Sequence, residues 1–136
     1  MSGISNENKK ALLVEVIGED AVIEGVDFDF EQSTYINVFG GKTITITPAD
    51  RLAAADSAFA DCVVVHCTDE SIKQKGRENI LAAILATPSP DVPMIYGKAL
   101  VMHRLAGSVS GFELFTDEKL NRLIDTIDTM AQNYDG

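Results

Sequence analysis

Residues 61–99 read DCVVVHCTDESIKQKGRENILAAILATPSPDVPMIYGKA, a segment in which a helical stretch separates two short apolar runs. The runs are residues 62–67 and 92–96. Apolar runs without polar alternation are typical of strands that are covered on both faces. Two such strands joined by a helix form a βαβ unit, so this segment predicts a sheet that is parallel at its centre. Because ligands bind at the carboxyl ends of strands in such sheets, residues 66–70 and 97–99 are the first site candidates.

The length and composition indicate one globular domain, which we assign to residues 10–136 after a polar tail at residues 1–9. Hydrophobic residues make up 46% of the chain and charged residues 24%, a balance that argues against disorder. The net charge of -10 opposes binding to nucleic acid or to an anionic membrane, so neither is expected as a partner. No apolar run approaches ~18 residues and no signal-peptide core is present, so the sequence predicts a cytoplasmic protein.

Three further strands are predicted, at residues 11–17, 42–46 and 111–115. Residues 42–46 alternate between polar and apolar side chains, which indicates a strand at the edge of the sheet. Glu15 is unusual within an apolar strand, so it lies either near the open end of the sheet or on an edge strand.

Two helices have clear beginnings in the sequence. One is predicted to start with Thr47 as its N-cap and Pro48 as its first residue, and its buried positions would be Leu52, Ala55 and Phe59. The final helix is predicted to start at Thr116 or Asp117, and its apolar stripe consists of Leu120, Leu123, Ile124 and Ile127.

Two segments leave alternatives open. Residues 21–41 are interpreted as a loop that enters a helix at 31–39, closed by Gly40 and Gly41, with a β-hairpin to the next strand as the rival. Residues 97–107 are expected to form one short helix or to continue a strand. The resulting alternation of strands and helices predicts a doubly wound, five-stranded parallel sheet.

The two cysteines, Cys62 and Cys67, are expected to be free thiols. Five residues of extended chain place their Cα atoms about 16 Å apart, well beyond the ~7 Å limit for a disulfide. Cys67 follows His66, but neighbouring residues of a strand point to opposite faces. The two side chains are therefore not expected to form a catalytic pair.

Several of these segments resemble the response-regulator receiver domain. They are the sequences DCVVV at 61–65, ILAAIL at 80–85 and PDVPMI at 90–95, together with LAG at 105–107, GF at 111–112 and the closing amphipathic helix. The resemblance covers about residues 10–130 and consists mostly of apolar framework. It implies a flavodoxin-like (βα)5 fold, a three-layer sandwich around a parallel sheet.

The resemblance also implies a phosphorylation site, which this chain would carry in degenerate form. Glu15, or Glu19 with Asp20, stands where the family has the acidic pair that holds Mg²⁺. The position of the aspartate that accepts the phosphoryl group falls on His66, with Asp69 three residues later. A neutral imidazole is a poor substitute for a carboxylate oxygen as a ligand of Mg²⁺.

The remaining family positions also depart from the pattern. Lys98 falls where the family has Thr or Ser, and Leu114 falls where it has the Lys that neutralises charge during phosphoryl transfer. The resemblance therefore implies a degenerate receiver that is not an enzyme and needs no cofactor. Such a module would act in signalling by contact with a partner protein.

The partner-binding face is predicted on the last strand, at Phe112, Leu114 and Phe115. By resemblance, a homodimer is also expected, formed through the region of the fourth and fifth strands. Two other functions are open: a phosphorylated receiver that uses Asp69 or Asp20 with Mg²⁺, and a small α/β enzyme or ligand-binding protein of another family.

Overall fold

The structure is a computed structural model that describes residues 9–17, 20–29, 31–75, 78–86, 95–104 and 111–133. The predicted tail at residues 1–9 lies almost wholly outside the described residues. The strands are β1 (Ala11–Ile17), β2 (Asp20–Val26), β3 (Ile44–Pro48), β4 (Cys62–Cys67), β5 (Ala99–Arg104) and β6 (Phe112–Glu113). The helices are α1 (Gln32–Phe39), α2 (Asp50–Ala55), α3 (Glu70–Lys75), α4 (Ile80–Ala86) and α5 (Asp117–Asn133), and a 3-10 helix (Ser57–Phe59) follows α2.

The strands form one sheet in the order β2-β1-β5-β4-β3, and β6 pairs with the end of β5. Every pair among these strands is antiparallel. The fold is therefore of the α/β kind, but the predicted doubly wound, parallel, flavodoxin-like sheet is wrong. The receiver fold that the resemblance implied is wrong with it.

The direction of β5 explains the error. The backbone N–H of Asn79, just before α4, bonds to the carbonyl of Ile95, and its side chain bonds to the carbonyl of Gly97, just before β5. The start of α4 and the start of β5 therefore lie at the same edge of the sheet. A βαβ crossover would have returned the chain to the opposite edge, whereas here β5 begins where β4 ends and runs antiparallel to it.

The strand predicted at residues 92–96 does not take the central position. Residues 92–94 lie outside the described residues, and Tyr96 makes a single bridge to Glu78. The central strand is β5, which pairs with both β1 and β4. It lies in the segment 97–107, which the sequence interpreted as a short helix or a continued strand. Residues 99–104 are indeed a strand, but a turn at Gly97 separates it from Tyr96.

Both faces of the sheet are covered by helices, so the apolar run 62–67 was interpreted correctly as a strand buried on both sides. All six residues of β4 are buried. Side chains from α2, α4 and α5 cover one face, where the first core contains Leu12, Val14, Ala49, Leu52, Phe59, Cys62, Val64, Leu81, Ala82, Leu85, Ala86, Ile95, Ala99, Val101, Phe115, Leu120, Leu123 and Ile127. Side chains from α1 and α3 pack on the other face, where the second core contains Ala11, Leu13, Phe28, Phe39, Val63, Val65, Cys67, Leu100 and Met102.

Several local predictions are confirmed. β1 has the predicted bounds, α1 ends at Gly40 in the left-handed conformation, and the Thr116 hydroxyl accepts the backbone N–H of Lys119 at the start of α5. β3 is at the edge of the sheet, as its alternation predicted. Glu15 lies near the end of β1, which is an interior strand, so the first of its two explanations is confirmed.

Other local predictions are wrong. Residues 20–26 form β2, which pairs with the preceding strand β1 and not with the strand that follows. Thr47 is not a helix N-cap, because α2 begins after Ala49 and Pro48 belongs to β3. Ala55 was predicted to be one of the buried residues of that helix, but it is exposed.

Candidate functional site

The edge of the sheet where β1 and β4 end contains the predicted phosphorylation-site residues. Ala99 at the start of β5 pairs with Val14 on one side and with His66 on the other. Since β1 and β4 both run antiparallel to β5, their carboxyl ends share this edge. The described residues placed there are Glu15, Asp20, His66, Asp69 and Lys98, whereas Glu19 lies outside the described residues.

His66 is part of the framework at this edge. Only 6% of its surface is exposed, and its Nε2 lies 3.1 Å from the hydroxyl oxygen of Thr47 on β3. Burial lowers the pKa of the imidazole. It shares its face of the sheet with Cys62 and Val64 of the first core, so it points away from Cys67, as the alternation of the strand predicted.

Asp69 fixes the loop that leads into β3. Its carboxylate accepts the backbone N–H groups of Lys42 at 2.7 Å and Thr43 at 3.3 Å. Hydrogen bonds from the Thr43 side chain and from the Lys42 backbone lower the pKa of the carboxyl group. A side chain at Gly41 would collide with this carboxylate and would come within 2.6 Å of the Cys67 sulfur, so the close approach of the loop requires glycine.

The cysteines are buried and free, as predicted. Burial raises the pKa of Cys62 to about 12 and also raises the pKa of Cys67. Because the thiolate is the reactive form, both groups are in environments that suppress thiol chemistry.

The other predicted residues are not joined to this group. Glu15 is half-buried and lies opposite Val22 of β2, while Asp20 and Lys98 are exposed. The hydrogen bonds and ion pairs of the described residues connect no two of Glu15, Asp20, His66, Asp69 and Lys98 through their side chains. Within the described ranges, no three His, Cys, Asp or Glu side chains are grouped so that they could hold a metal ion.

Asn79 is the residue at this edge that sequence reasoning missed. It is fully buried, and its Nδ2 donates to the carbonyls of Val14 and Gly97, each at 2.8 Å. Its Oδ1 accepts the backbone N–H of Ala82 at 3.1 Å, which caps the start of α4. An asparagine immediately before the apolar run 80–86 was the signal that could have identified the cap.

The predicted partner-binding face is divided between the two sides of the sheet. Phe115 is 1% exposed and packs edge-on against Phe59 in the first core, with ring centroids 6.4 Å apart. Phe112 and Leu114 are half-buried against the second core. Phe115 therefore has almost no surface to offer a partner.

A polar depression of about 270 Å³ lies away from this edge, lined by Lys9, Asp27, Phe28, Asp29 and Thr34. The Asp29 carboxylate accepts the backbone N–H of Glu31 at 3.0 Å, and hydrogen bonds from Thr34 and Glu31 lower its pKa. Asp29 thus stabilises the first turn of α1. The depression is wide open, and both of its carboxylates have partners in the fold, since Asp27 lies 3.6 Å from the Lys10 ammonium.

The outer side of β3, opposite to β4, has no neighbouring strand among the described residues. Two hydrogen bonds show which backbone groups of β3 face this side. The N–H of Thr68 bonds to the carbonyl of Thr43, and the N–H of Ala49 bonds to the carbonyl of Cys62. These two bonds fix the phase of the β3–β4 ladder, because hydrogen-bonded pairs alternate along an antiparallel pair. Thr45 and Thr47 therefore bond to β4, while the backbone groups of Ile44, Ile46 and Pro48 face outward.

The outward side of β3 is uncharged and, within the described part of the chain, has no strand beside it. Its sequence is ITITP, and Ile46 exposes 41% of its surface. Pro48 occupies an outward position, where its missing N–H removes no bond of the sheet. Native sheets protect such edges with charges, proline, short strands or a covering segment; β3 is short and ends in Pro48, but its residues 44–47 carry no charge and have no covering strand among the described residues.

The burial of His66 makes the stability of the fold depend on pH. The pKa of His66 is lowered in the folded protein, whereas in the unfolded chain it has its ordinary value of about 6.5. Between these two pKa values the unfolded chain binds the proton and the folded protein does not. The free energy of unfolding therefore falls as the pH drops from about 6.5 to the pKa of the folded state. Each pKa unit of separation corresponds to about 1.36 kcal/mol. Urea unfolding between about pH 7.5 and about pH 5 measures the loss.

The matched variant is His66→Gln, which keeps a polar side chain but does not titrate. We expect its free energy of unfolding to change less over the same pH interval. An equal pH dependence in both proteins would contradict this role of His66. The pKa values of the Asp29 and Asp69 carboxyl groups are also lowered in the folded protein. They add a separate loss of stability that begins as the pH falls below their ordinary pKa of 3.8.

No protein-family model, curated protein or solved structure matches this chain. The resemblance to receiver domains therefore has no support from these comparisons. Among the helices of the described residues, none is both long and apolar enough to cross a membrane.

Proposed function

We propose that this protein is a non-catalytic binding module that contacts a partner protein by strand addition at β3. In strand addition, an extended segment of the partner pairs with an exposed sheet edge through main-chain hydrogen bonds. The observation that carries the proposal is the uncharged outer side of β3, with the N–H and C=O groups of Ile44 and Ile46 directed away from β4.

The roles of the polar groups favour this proposal over an enzyme. His66 bonds to Thr47, Asp69 binds the backbone of the loop before β3, and Asn79 joins α4 to β1 and β5. Each group has a partner that explains its position in the fold. The cytoplasm is the proposed location, because both cysteines are free thiols and disulfides are rare in that compartment.

Selection of displayed peptides against the immobilised full chain tests this function. Peptides that add a strand to β3 are expected to bind the native protein and the variant Ile17→Lys, whose substituted residue lies on β1. They should bind Ile46→Lys at least about tenfold more weakly, because the new charge must be desolvated beside the added strand.

Ile17 is a suitable matched control, since it is 57% exposed and receives the same substitution as Ile46. Enriched peptides that bind Ile46→Lys as well as they bind the native protein would contradict strand addition at β3. A selection that enriches no peptide would contradict the binding function itself.

A further inference from the structure

We propose that the strand that occupies the free side of β3 is β3 of a second copy of this chain, paired antiparallel across a two-fold axis. The inference rests on the proposed function, since it uses the same outward backbone groups. It joins two sheets edge to edge into one continuous sheet. This contact differs from the homodimer expected by resemblance, which was placed at the fourth and fifth predicted strands, residues 92–96 and 111–115, and not at β3.

The outward hydrogen-bonding groups of β3 are self-complementary. An antiparallel pair centred on Thr45 places Ile44 opposite the partner's Ile46, so each of these residues donates and accepts. A pair centred on Ile46 places Ile46 opposite its own symmetry mate, and the Ile44 N–H then meets the carbonyl of the partner's Pro48. Both registers use every outward N–H of β3, and neither requires one from Pro48.

The charges at the two ends of the strand favour an antiparallel copy. Lys42 precedes β3 and Asp50 follows it, and both side chains are exposed. Antiparallel pairing aligns the Lys42 end of one copy with the end that carries the partner's Asp50, and the two-fold axis repeats this contact. A parallel copy would place like charges side by side.

The overall charge gives a second reason for contact at this strand. Each chain has a net charge of -10, so two copies repel one another over most orientations. The five residues of β3 carry no charge and are bounded by charges of opposite sign. Two copies can therefore approach along β3 with Lys42 of each copy near the partner's Asp50, while Asp69, which binds the Lys42 backbone, adds a carboxylate at the same end.

The exposed isoleucine adds apolar surface to the contact. Ile46 is 41% exposed on the face of the second core, beside the half-buried Ile44. In either register an isoleucine of the neighbouring copy lies opposite Ile46, and Ile44 lies opposite either Ile46 or Pro48 of that copy. A strand of five residues buries less than a standard interface, so a dimer of modest affinity is expected.

Sedimentation equilibrium of the full chain, from low micromolar to millimolar concentration, measures the association. We expect a monomer–dimer equilibrium whose dissociation constant rises at least about tenfold in Ile46→Lys and is unchanged in Ile17→Lys. A native protein that stays monomeric throughout would overturn the inference, and so would a dimer that Ile46→Lys leaves intact.

Charge reversal at the ends of β3 tests the orientation. Lys42→Asp and Asp50→Lys are each expected to weaken the dimer by about threefold, because each places like charges together at both ends. The double variant restores opposite charges and should recover most of the native affinity. Additive losses in the double variant would rule out the antiparallel pairing.

Amide hydrogen exchange identifies the contact residue by residue. As the protein concentration rises, exchange at Ile44 and Ile46 should slow, while Thr45 and Thr47, already bonded to β4, should change little. Uniform slowing along β3, or slowing only in another strand, would contradict the proposed pairing. A monomeric chain whose β3 still selects peptides would refute the second copy and leave the binding function standing.

Discussion

Replacement of Asn79 by alanine is expected to lower the free energy of unfolding by about 3 kcal/mol. The loss of an N-cap accounts for about 1 kcal/mol of this. The remainder comes from the carbonyls of Val14 and Gly97, since an unsatisfied buried group costs about 1–3 kcal/mol. Urea denaturation at neutral pH measures the change.

Asn79→Ser separates the two contributions. A serine hydroxyl can cap α4 but cannot reach both carbonyls, so this variant should recover about 1 kcal/mol relative to alanine. The control is Asn121→Ala on the exposed side of α5, which should change stability by less than about 0.5 kcal/mol. A loss at Asn79→Ala no larger than that control would show that Asn79 does not join β1, α4 and β5.

Replacement of Phe115 by alanine is expected to cost about 3–5 kcal/mol, the range for removing a buried aromatic ring. The ring lies in the first core against Phe59, and the Phe115 backbone exchanges two hydrogen bonds with Lys10. The substitution keeps those backbone bonds but leaves a cavity between α5 and the sheet. Thermal and urea denaturation measure the effect.

Phe112→Ala is the matched comparison, because the sequence assigned both aromatic residues to one partner-binding face. Phe112 is half-buried, and its ring lies 5.8 Å from the guanidinium of Arg104. We expect a loss of about 1 kcal/mol there. Equal and small losses at both positions would mean that Phe115 is not a core residue.

The burial of the strands could be predicted from the sequence, but their direction could not. The run VVV at residues 63–65 shows only that β4 is covered on both faces. Parallel sheets are the usual cause of such coverage, yet here helices cover both sides of an antiparallel sheet. Hydrophobic periodicity shows which faces of a strand are buried. It does not show whether the neighbouring strands are parallel or antiparallel to it.

The central strand was misplaced because two adjacent segments are equally apolar. Residues 92–96 and 99–104 both satisfy the pattern of a buried strand, and Gly97 lies between them. Gly97 has a positive φ of 74°, so the chain turns there before it enters β5. A glycine in that position was compatible with a strand on either side.

At the candidate site, the sequence identified the edge of the sheet but not the roles of its residues. His66, Asp69 and Lys98 do lie where strands begin or end. The partners of His66 and Asp69, however, are a threonine hydroxyl and loop amides that are distant in sequence. The edge position of β3 was predicted from its alternation. The phase of its hydrogen bonds, which makes the outer side a binding surface, requires the register with β4.

The order of the strands has a consequence for synthesis on the ribosome. β1 and β2 can pair as soon as they emerge, but the other side of β1 is filled by β5 and Lys10 is bridged to Phe115. A nascent chain that ends before residue 99 thus holds a β1–β2 hairpin with both edges open, and it lacks the central strand. The sheet can be completed only when nearly the whole chain has been translated. During this delay the unpaired strand edges are exposed, and we expect chaperones to bind them.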